Sequence, residues 1–286
     1  MEADKVARKE RLERLGADLL SGGADASEID TGTPHPARMY DYYLGGHDNY
    51  EVDRMAAEEV ITIVPTIREM ARANRAFLGR AVRFVARQGV RQFLDIGTGI
   101  PGPGNTNDVA RQVSPDARVV YVDNDPIVLA HARALLAGHD PEHTTVIKAD
   151  LREPEEILEH SLVRGVLDFD EPVAVLLVAV LHFIQDSDDP IGIVRRLMAA
   201  VPDGSYLVIS HGTGDFDPEG AAAAVRSYDR TFAPIVARSK EQILRFFEGL
   251  DVVEPGIVQV PWWRPDGEVS EQASAIWWYG VAGRKG

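Results

Sequence analysis

From residue 91 onward, short apolar runs alternate with longer segments of helical periodicity. Apolar runs of this length, bounded by glycine or acidic residues, are typical of the buried strands of a parallel sheet. The pattern predicts five such strands, at residues 92–97, 118–123, 144–149, 173–180 and 206–210. It predicts helices at residues 105–113, 126–136, 155–160, 191–201, 219–232 and 240–247.

The C-terminal end departs from this alternation. Two further apolar segments, at residues 252–260 and 275–282, have no helix between them and predict an antiparallel pair of strands. We therefore predict an α/β fold, namely a doubly wound, mostly parallel, seven-stranded Rossmann-like sheet with a terminal antiparallel hairpin. Residues 91–286 would form this domain.

The N-terminal third is predicted to be a helical extension that precedes the sheet. Residues 1–33 have the pattern of a tail, with helical character at residues 3–20 followed by a linker rich in glycine, serine and proline. Residues 34–90 are predicted to form a helical cap or lid, which includes two helices divided near Pro65.

The net charge of the chain limits the kinds of molecule that it is expected to bind. The 286 residues include 30 Lys and Arg against 45 Asp and Glu, a net charge of −15. This excess repels phosphate backbones and anionic lipids, so we expect neither nucleic acid nor membrane as a partner. The charged N-terminus has no apolar core of a signal peptide and no run is long enough to span a bilayer, which favours a cytoplasmic protein. The sequence carries no signal of oligomeric state.

The same composition excludes several kinds of chemistry. With no cysteine, the chain has no disulfide, no thiolate metal site and no Cys nucleophile. Among the eight histidines no H-E-x-x-H spacing occurs, and no metal is predicted.

Three acidic residues stand at the ends of three successive predicted strands. Asp95 is followed by Gly97-Thr98-Gly99, whose glycines permit a sharp turn and close approach of a ligand to the backbone. Ligands of open α/β sheets bind at the carboxyl ends of the strands. A carboxylate there suits a nucleotide-like molecule with a cationic end, and S-adenosylmethionine (SAM), with its ammonium and sulfonium, has that character.

The later strand ends complete the predicted cofactor site. Asp123, next to Asn124, is placed to accept both hydroxyls of a ribose, whereas Asp125 is better explained as a helix N-cap before Pro126. Asp150 would accept from the exocyclic amine of adenine, and Leu151 would pack on the ring. The fourth strand would bring Ala179 close to the reacting methyl group.

A nicotinamide dinucleotide is the main competing cofactor. Residues 97–102 satisfy G-x-G-x-x-G, which alone is a weak signal. Pro101 and Pro103 remove N–H donors that a pyrophosphate would need, and the nearby carboxylate of Asp95 would repel it. Both arguments favour the methyl donor.

Two histidines follow the fourth and fifth strands. His182 and His211 are both candidates for a general base, because an unperturbed imidazole titrates near neutral pH. Either could instead form a structural hydrogen bond with a neighbouring loop.

Polar and aromatic residues are concentrated at residues 37–50, a segment with little apolar periodicity. Such a segment suits a lid that closes over the cofactor and helps form the acceptor site, with Gly45 and Gly46 allowing a bend. The alternative is a structural cap whose tyrosines pack on the sheet. The residues predicted to act in the lid are Arg38, Tyr40, Tyr42, Gly45, His47 and Asn49.

Several of these motifs together resemble a known family. Asp95-x-Gly97-x-Gly99, Asp123 and Asp150-Leu151 resemble the motifs of class I SAM-dependent methyltransferases. The sequence is also similar to an actinobacterial family of S-adenosyl methyltransferases, over roughly residues 34–286. That similarity rests on Pro36-x-Arg38-x-Tyr40-Asp41-Tyr42-x-Leu44-Gly45-Gly46-x-Asp48-Asn49, Asn74-Arg75-x-Phe77-Leu78, Phe93 to Gly99, Tyr121 to Pro126 and Leu181-His182-Phe183.

The resemblance implies the fold and the methyl donor, with S-adenosylhomocysteine (SAH) as product and no metal. It leaves the acceptor and the accepting atom open. One departure is that Gly102-Pro103-Gly104 stands where a threonine-containing turn is expected. We therefore predict a SAM-dependent methyltransferase acting on a small molecule; the alternatives are a non-catalytic sensor that binds SAM or SAH and, less favoured, an NAD(P)-binding oxidoreductase.

Overall fold

The computed structural model describes residues 30–102, 104–136, 143–228 and 233–286. The α-helices are α1 (Pro36–Leu44), α2 (Glu51–Ile63), α3 (Ile67–Arg87), α4 (Thr106–Val113), α5 (Pro126–Leu136), α6 (Pro154–Glu159), α7 (Ser161–Val166), α8 (Pro190–Ala199), α9 (Pro218–Tyr228) and α10 (Lys240–Leu244). The strands are β1 (Gln92–Ile96), β2 (Arg118–Asp123), β3 (Thr144–Lys148), β4 (Val173–Val178), β5 (Tyr206–Gly212), β6 (Leu250–Val252), β7 (Val258–Gln259) and β8 (Trp278–Lys285).

The strands form one mixed sheet in the order β3-β2-β1-β4-β5-β8-β6, and the two-residue β7 also pairs with β8. The first five strands are parallel, and β8 runs antiparallel to β5. This confirms the predicted doubly wound α/β sheet with an antiparallel end. Strand β4 lies at the centre, beside β1, so the carboxyl ends of β1 and β4 meet at the point where the strand order reverses.

Two predicted strands differ from the structure: one ends earlier and the other is interrupted. Strand β4 stops at Val178, because Ala179 adopts a left-handed backbone conformation with φ of 59° and a 3₁₀ turn follows at Leu181–Phe183. The strand predicted at residues 252–260 is interrupted between β6 and β7. Pro255 has no N–H for a ladder, and Gly256 closes a turn by donating its N–H to the Val253 carbonyl.

Apolar side chains fill both faces of the sheet. Helices α3 and α4 cover one face, where Phe77, Val82 and Val85 of α3 pack with Phe93 of β1. Helices α6, α7 and α8 cover the other face, which receives Leu94 because successive strand residues alternate between faces. Helix α3 is thus part of the main core, although residues 34–90 were predicted to be a cap or lid.

Helices α1 and α2 form a smaller apolar cluster of their own. Met39 and Tyr43 of α1 pack with Ala57 and Val60 of α2 and with Tyr228 of α9. The helix predicted at residues 3–20 lies outside the described residues, as do the last four residues of the helix predicted at 219–232. Within the part of the chain that the structure describes, no helix is long and apolar enough to cross a membrane.

Candidate functional site

A cavity of about 290 Å³ lies at the carboxyl ends of β1 to β4 and is closed on one side by α1. Every residue predicted to bind the cofactor contributes to its wall. These residues are Asp95, Gly97, Thr98, Gly99, Asp123, Asn124, Asp150, Leu151 and Ala179.

Asp95 is a buried carboxylate whose charge is only partly compensated. Its Oδ2 accepts a hydrogen bond of 2.6 Å from Thr106 Oγ1 at the start of α4. Burial raises the pKa of Asp95 to about 6, although Thr106 and the guanidinium of Arg75 both act to lower it. A cationic group in the cavity would restore the balance of charge.

The glycine turn after β1 is fixed by close backbone contacts. Gly97 has φ of 75°, and a Cβ there would lie 2.4 Å from Val180 Cγ2, so the turn requires glycine. At Gly99 a Cβ would meet no atom within 4 Å, which leaves room for a ligand against the backbone.

Asp123 joins this turn to the end of β2. Its two carboxylate oxygens accept from the N–H groups of Gly99, at 2.9 Å, and Asp125, at 3.0 Å. Each oxygen keeps a lone pair, so together they can accept two further hydroxyls. Burial raises the pKa of Asp123. Asp125 caps α5 as predicted, accepting from the Ile127 N–H at 2.8 Å.

Asp150 is held in a fixed position by Arg152. The guanidinium donates two hydrogen bonds to its carboxylate, of 2.9 and 2.6 Å. Burial opposes ionisation, but Arg152 and the side chain of Asn124 together lower the pKa of Asp150. The carboxylate is therefore ionised beside Leu151, which is itself buried.

A buried polar network links the strained end of β4 to α1. The N–H of Ala179 lies 3.0 Å from Ser210 Oγ, and this hydroxyl donates to Asn74 Oδ1 of α3. Asn74 Nδ2 donates to the Tyr40 hydroxyl, which donates to the Ala71 carbonyl. Left-handed conformations of non-glycine residues are costly and concentrate at functional sites. The network thus stabilises the backbone beside the cavity and ties α1 to it.

His182 lines the cavity, whereas His211 does not. The His182 side chain is buried between Phe183 and Trp278, with ring centroids 4.4 and 5.5 Å away, and its Nδ1 has no hydrogen-bond partner. Burial, with His211 and Arg238 nearby, holds the pKa of His182 well below its usual range. The ring is therefore neutral.

Of the two roles left open for His211, its surroundings favour the structural hydrogen bond over the general base. Its ring is fully buried, Nδ1 lies 2.7 Å from the Gly212 carbonyl, and Nε2 lies 3.1 Å from Nη1 of Arg238. Burial lowers the pKa of His211 to about 3. With both ring nitrogens engaged, His211 positions Arg238, which also donates to the carbonyls of Leu181 and Ile184 around His182.

Of the residues predicted to act in a lid, only Tyr40 lines the cavity. The segment begins as a regular helix, α1, so its side chains point to different sides, and His35, Pro36, Ala37 and Tyr43 share the cavity face with Tyr40. The other predicted lid residues do not line the cavity. Arg38 is buried against Asp53, Tyr42 bonds Glu58, Gly45 ends α1 with φ of 86°, His47 is exposed, and Asn49 donates to Asp41.

Comparison with known proteins identifies the family. A profile of a family described as S-adenosyl methyltransferase matches residues 22–286. The chain belongs to this family. Its α/β fold matches that of class I SAM methyltransferase structures.

Two solved structures are similar over most of their length. A DUF574 family protein from Streptomyces avermitilis MA-4680 is 44% identical, with a TM-score of 0.87 over 90% of this chain and 100% of that one. A predicted methyltransferase from Thermobifida fusca YX is 39% identical, with a TM-score of 0.84 over 92% and 98% of the two chains.

A curated relative matches only in part. A carboxy-S-adenosyl-L-methionine synthase from Psychrobacter arcticus is 26% identical over 142 residues, which are 49% of this chain and 48% of that protein. The match thus spans about half the length of that relative.

As a member of the S-adenosyl methyltransferase family, the protein is a SAM-dependent methyltransferase, and the cavity matches this cofactor. Two buried, incompletely compensated acids line it, as does the open backbone at Gly99. Within the described residues, no group of three or more metal-ligating side chains is present.

The structure adds residues that the sequence analysis missed. Arg75 of α3 lines the cavity near Asp95, and its Nη2 donates to Asn105 Oδ1 at 2.7 Å and to the Gly102 carbonyl at 3.3 Å. His35 lines it as well, with Nδ1 3.0 Å from Asp125 Oδ2. Arg75 could have been found from the sequence as a polar residue on the inward face of an amphipathic helix.

Proposed function

We propose that the protein transfers the methyl group of SAM to a small molecule bound beside the glycine turn, between β4 and α1. The observation that carries the proposal is that acids from three successive strand ends, together with Arg75, line one end of a single cavity. Aromatic side chains, including Tyr40 and Tyr43 of α1, line part of the remaining wall.

Each of these residues would bind the part of the cofactor whose charge or hydrogen-bonding groups complement its own. Asp95 would pair with the ammonium of the methionine moiety, and Arg75 with its carboxylate. Asp123 would accept the two ribose hydroxyls, while Asp150 and Leu151 would hold the adenine. When bound there, SAM supplies a methyl group activated by attachment to a sulfonium.

The chain contributes chiefly by positioning and by excluding water. The network from Ala179 to Tyr40 keeps the β4 end rigid, and α1 covers the cavity. Alignment of two reactants is worth several powers of ten in rate without a strong base. This matches the neutral, weakly basic state of His182.

The geometry also bears on the dinucleotide alternative. The N–H groups of Gly99 and Gly102, which a pyrophosphate would require, already donate to Asp123 Oδ2 and Asn105 Oδ1. Two buried carboxylates at the same turn add repulsion. Both observations support SAM over NAD(P).

A small acceptor is supported by charge and shape. The net charge of −15 disfavours a polyanion, and the cavity that contains the aromatic side chains is closed on one side by α1. Micromolar binding of RNA or DNA in a gel shift at low salt would contradict this part of the proposal.

Calorimetry with SAH tests the proposal. Asp123→Ala should weaken SAH binding tenfold or more, since losing a buried acceptor to hydroxyl donors costs about 1–3 kcal/mol. Asp116→Ala, at the opposite end of β2 and exposed, is the matched control and should bind normally. Unchanged affinity in Asp123→Ala would contradict the ribose assignment, and NADH binding without SAH binding would contradict the cofactor.

A second measurement separates an enzyme from a sensor. The purified protein, incubated with SAM and a panel of small-molecule acceptors, should form SAH with at least one of them. Tight SAM binding without turnover on the whole panel would favour the sensor.

A further inference from the structure

A second, smaller cavity of about 80 Å³ lies next to the cofactor cavity. The two share four wall residues, Ile67, His182, Tyr228 and Trp278. The rest of its wall comes from α2, α3, α9 and the loops after β5 and before α10. The described residues of this wall are mostly aliphatic and include no Asp, Glu, Lys or Arg. Buried apolar walls of this kind favour an apolar guest.

One residue of the shared wall, His182, has a buried ring nitrogen that lacks a partner. His182 is 7% exposed, and its Nδ1 forms no hydrogen bond. Buried polar atoms are nearly always hydrogen-bonded, so an exception requires an explanation. A ligand hydroxyl would pair with the imidazole in either tautomer of the neutral ring, because a hydroxyl both donates and accepts.

Size limits what the second cavity can hold. An engineered protein cavity of about 150 Å³ accommodates benzene. At about half that volume, this cavity suits a short branched alkyl group rather than a second ring. A ring attached to that group would lie among Tyr40, Phe183 and Trp278 in the larger cavity.

We propose that the second cavity is an acceptor subsite, and that the acceptor is a neutral, flat, mostly apolar molecule with a hydroxyl that bonds the imidazole of His182 and a short alkyl substituent that enters the subsite. The inference rests on the proposed function, since it describes the acceptor of the same methyl transfer. It commits to a hydroxyl-bearing acceptor, which the cofactor residues alone do not specify.

The test uses protein saturated with SAH and measures the binding of three para-substituted isopropylbenzenes by ligand-observed NMR titration. The probes are 4-isopropylphenol, 4-isopropyltoluene, which lacks the hydroxyl, and 4-isopropylbenzoate, which is anionic. The phenol should bind about five- to tenfold more tightly than the toluene, as expected for one buried hydrogen bond. In His182→Leu this preference should disappear while SAH affinity is retained.

Two variants fill the subsite. Ala224→Leu on α9 and Ala237→Leu in the following loop place larger side chains at residues that line it, and each should weaken the phenol at least fivefold. Ala222→Leu is the matched control, because Ala222 is exposed on the same helix and should leave probe binding unchanged. Normal SAH affinity and thermal unfolding show that each variant is folded.

The outcomes separate the two proposals. Failure of the wild-type protein to bind SAH would contradict the proposed function. Three results with normal SAH binding would overturn the acceptor subsite alone. They are no binding of the phenol, phenol binding that neither filling variant weakens, and tighter binding of the benzoate than of the phenol.

Discussion

Replacing Asp95 by asparagine should stabilise the cofactor-free protein and weaken cofactor binding at the same time. The carboxylate is almost completely buried, and its Oδ2 accepts a hydrogen bond from Thr106. Asparagine keeps the shape and can still accept that hydrogen bond, but it carries no charge. The perturbation therefore isolates the charge.

The magnitude follows from the pKa of Asp95, which burial raises from 3.8 to about 6. At about 1.36 kcal/mol per pKa unit, the difference costs the native state about 3 kcal/mol at neutral pH. The native state retains the proton up to about pH 6, whereas the unfolded state loses it near 3.8. This group therefore lowers stability as pH rises between these values.

The assay is urea unfolding of the cofactor-free proteins, followed by tryptophan fluorescence at pH 4 and pH 7. The free energy of unfolding of Asp95→Asn should exceed that of the wild type by up to about 3 kcal/mol at pH 7 and by much less at pH 4. SAH affinity at pH 7 should fall tenfold or more, because the ammonium loses its partner. Asp116→Asn, whose carboxylate is exposed, should change neither quantity appreciably.

Two results would refute this reasoning. A variant less stable than the wild type at pH 7 would show that the ionised carboxylate is well compensated without the cofactor. A variant with undiminished SAH affinity would show that Asp95 does not pair with the ammonium.

Two other substitutions test the residues that the structure added or reassigned. Arg75→Gln should weaken SAH binding about tenfold in calorimetry, because it removes the partner of the methionine carboxylate. Arg83→Gln on the same helix removes a pair with an exposed acid and should leave SAH affinity unchanged; equal affinities of the two variants would exclude Arg75 from the site. Tyr40→Ala should impair SAH retention or turnover, whereas Tyr42→Ala should leave both unchanged because its hydroxyl bonds Glu58 away from the cavity; an equal loss in both would restore the whole segment as a lid.

Local sequence was sufficient for the parallel sheet and for the cofactor half of the site. Apolar runs determine which segments become buried strands, and β1 to β5 lie close to the predicted positions. Since the carboxyl ends of parallel strands meet at one edge, acids at three strand ends had to converge. Asp95, Asp123 and Asp150 do line one cavity.

Local sequence gave wrong predictions for two segments in which the pattern of apolar and polar residues is ambiguous. Of the aromatic residues of α1, Tyr43 is buried and Tyr40 and Tyr42 are half-buried, so they do not mark a single face; this obscured the helical period and suggested a loop-like lid. The break at Pro255 was visible in the sequence, but apolar residues on both sides of it favoured a single strand.

The roles of the two histidines and the shape of the acceptor side depend on tertiary structure. His182 and His211 have ring centroids 5.6 Å apart in similar strand-end contexts, yet only His211 is engaged by Arg238, which lies 27 residues farther along the chain. The second cavity likewise exists only where α2, α3 and α9 meet. Burial and hydrogen-bond partners are properties of packed, sequence-distant surfaces, and the short-range periodicity that specifies helices and strands contains no information about them.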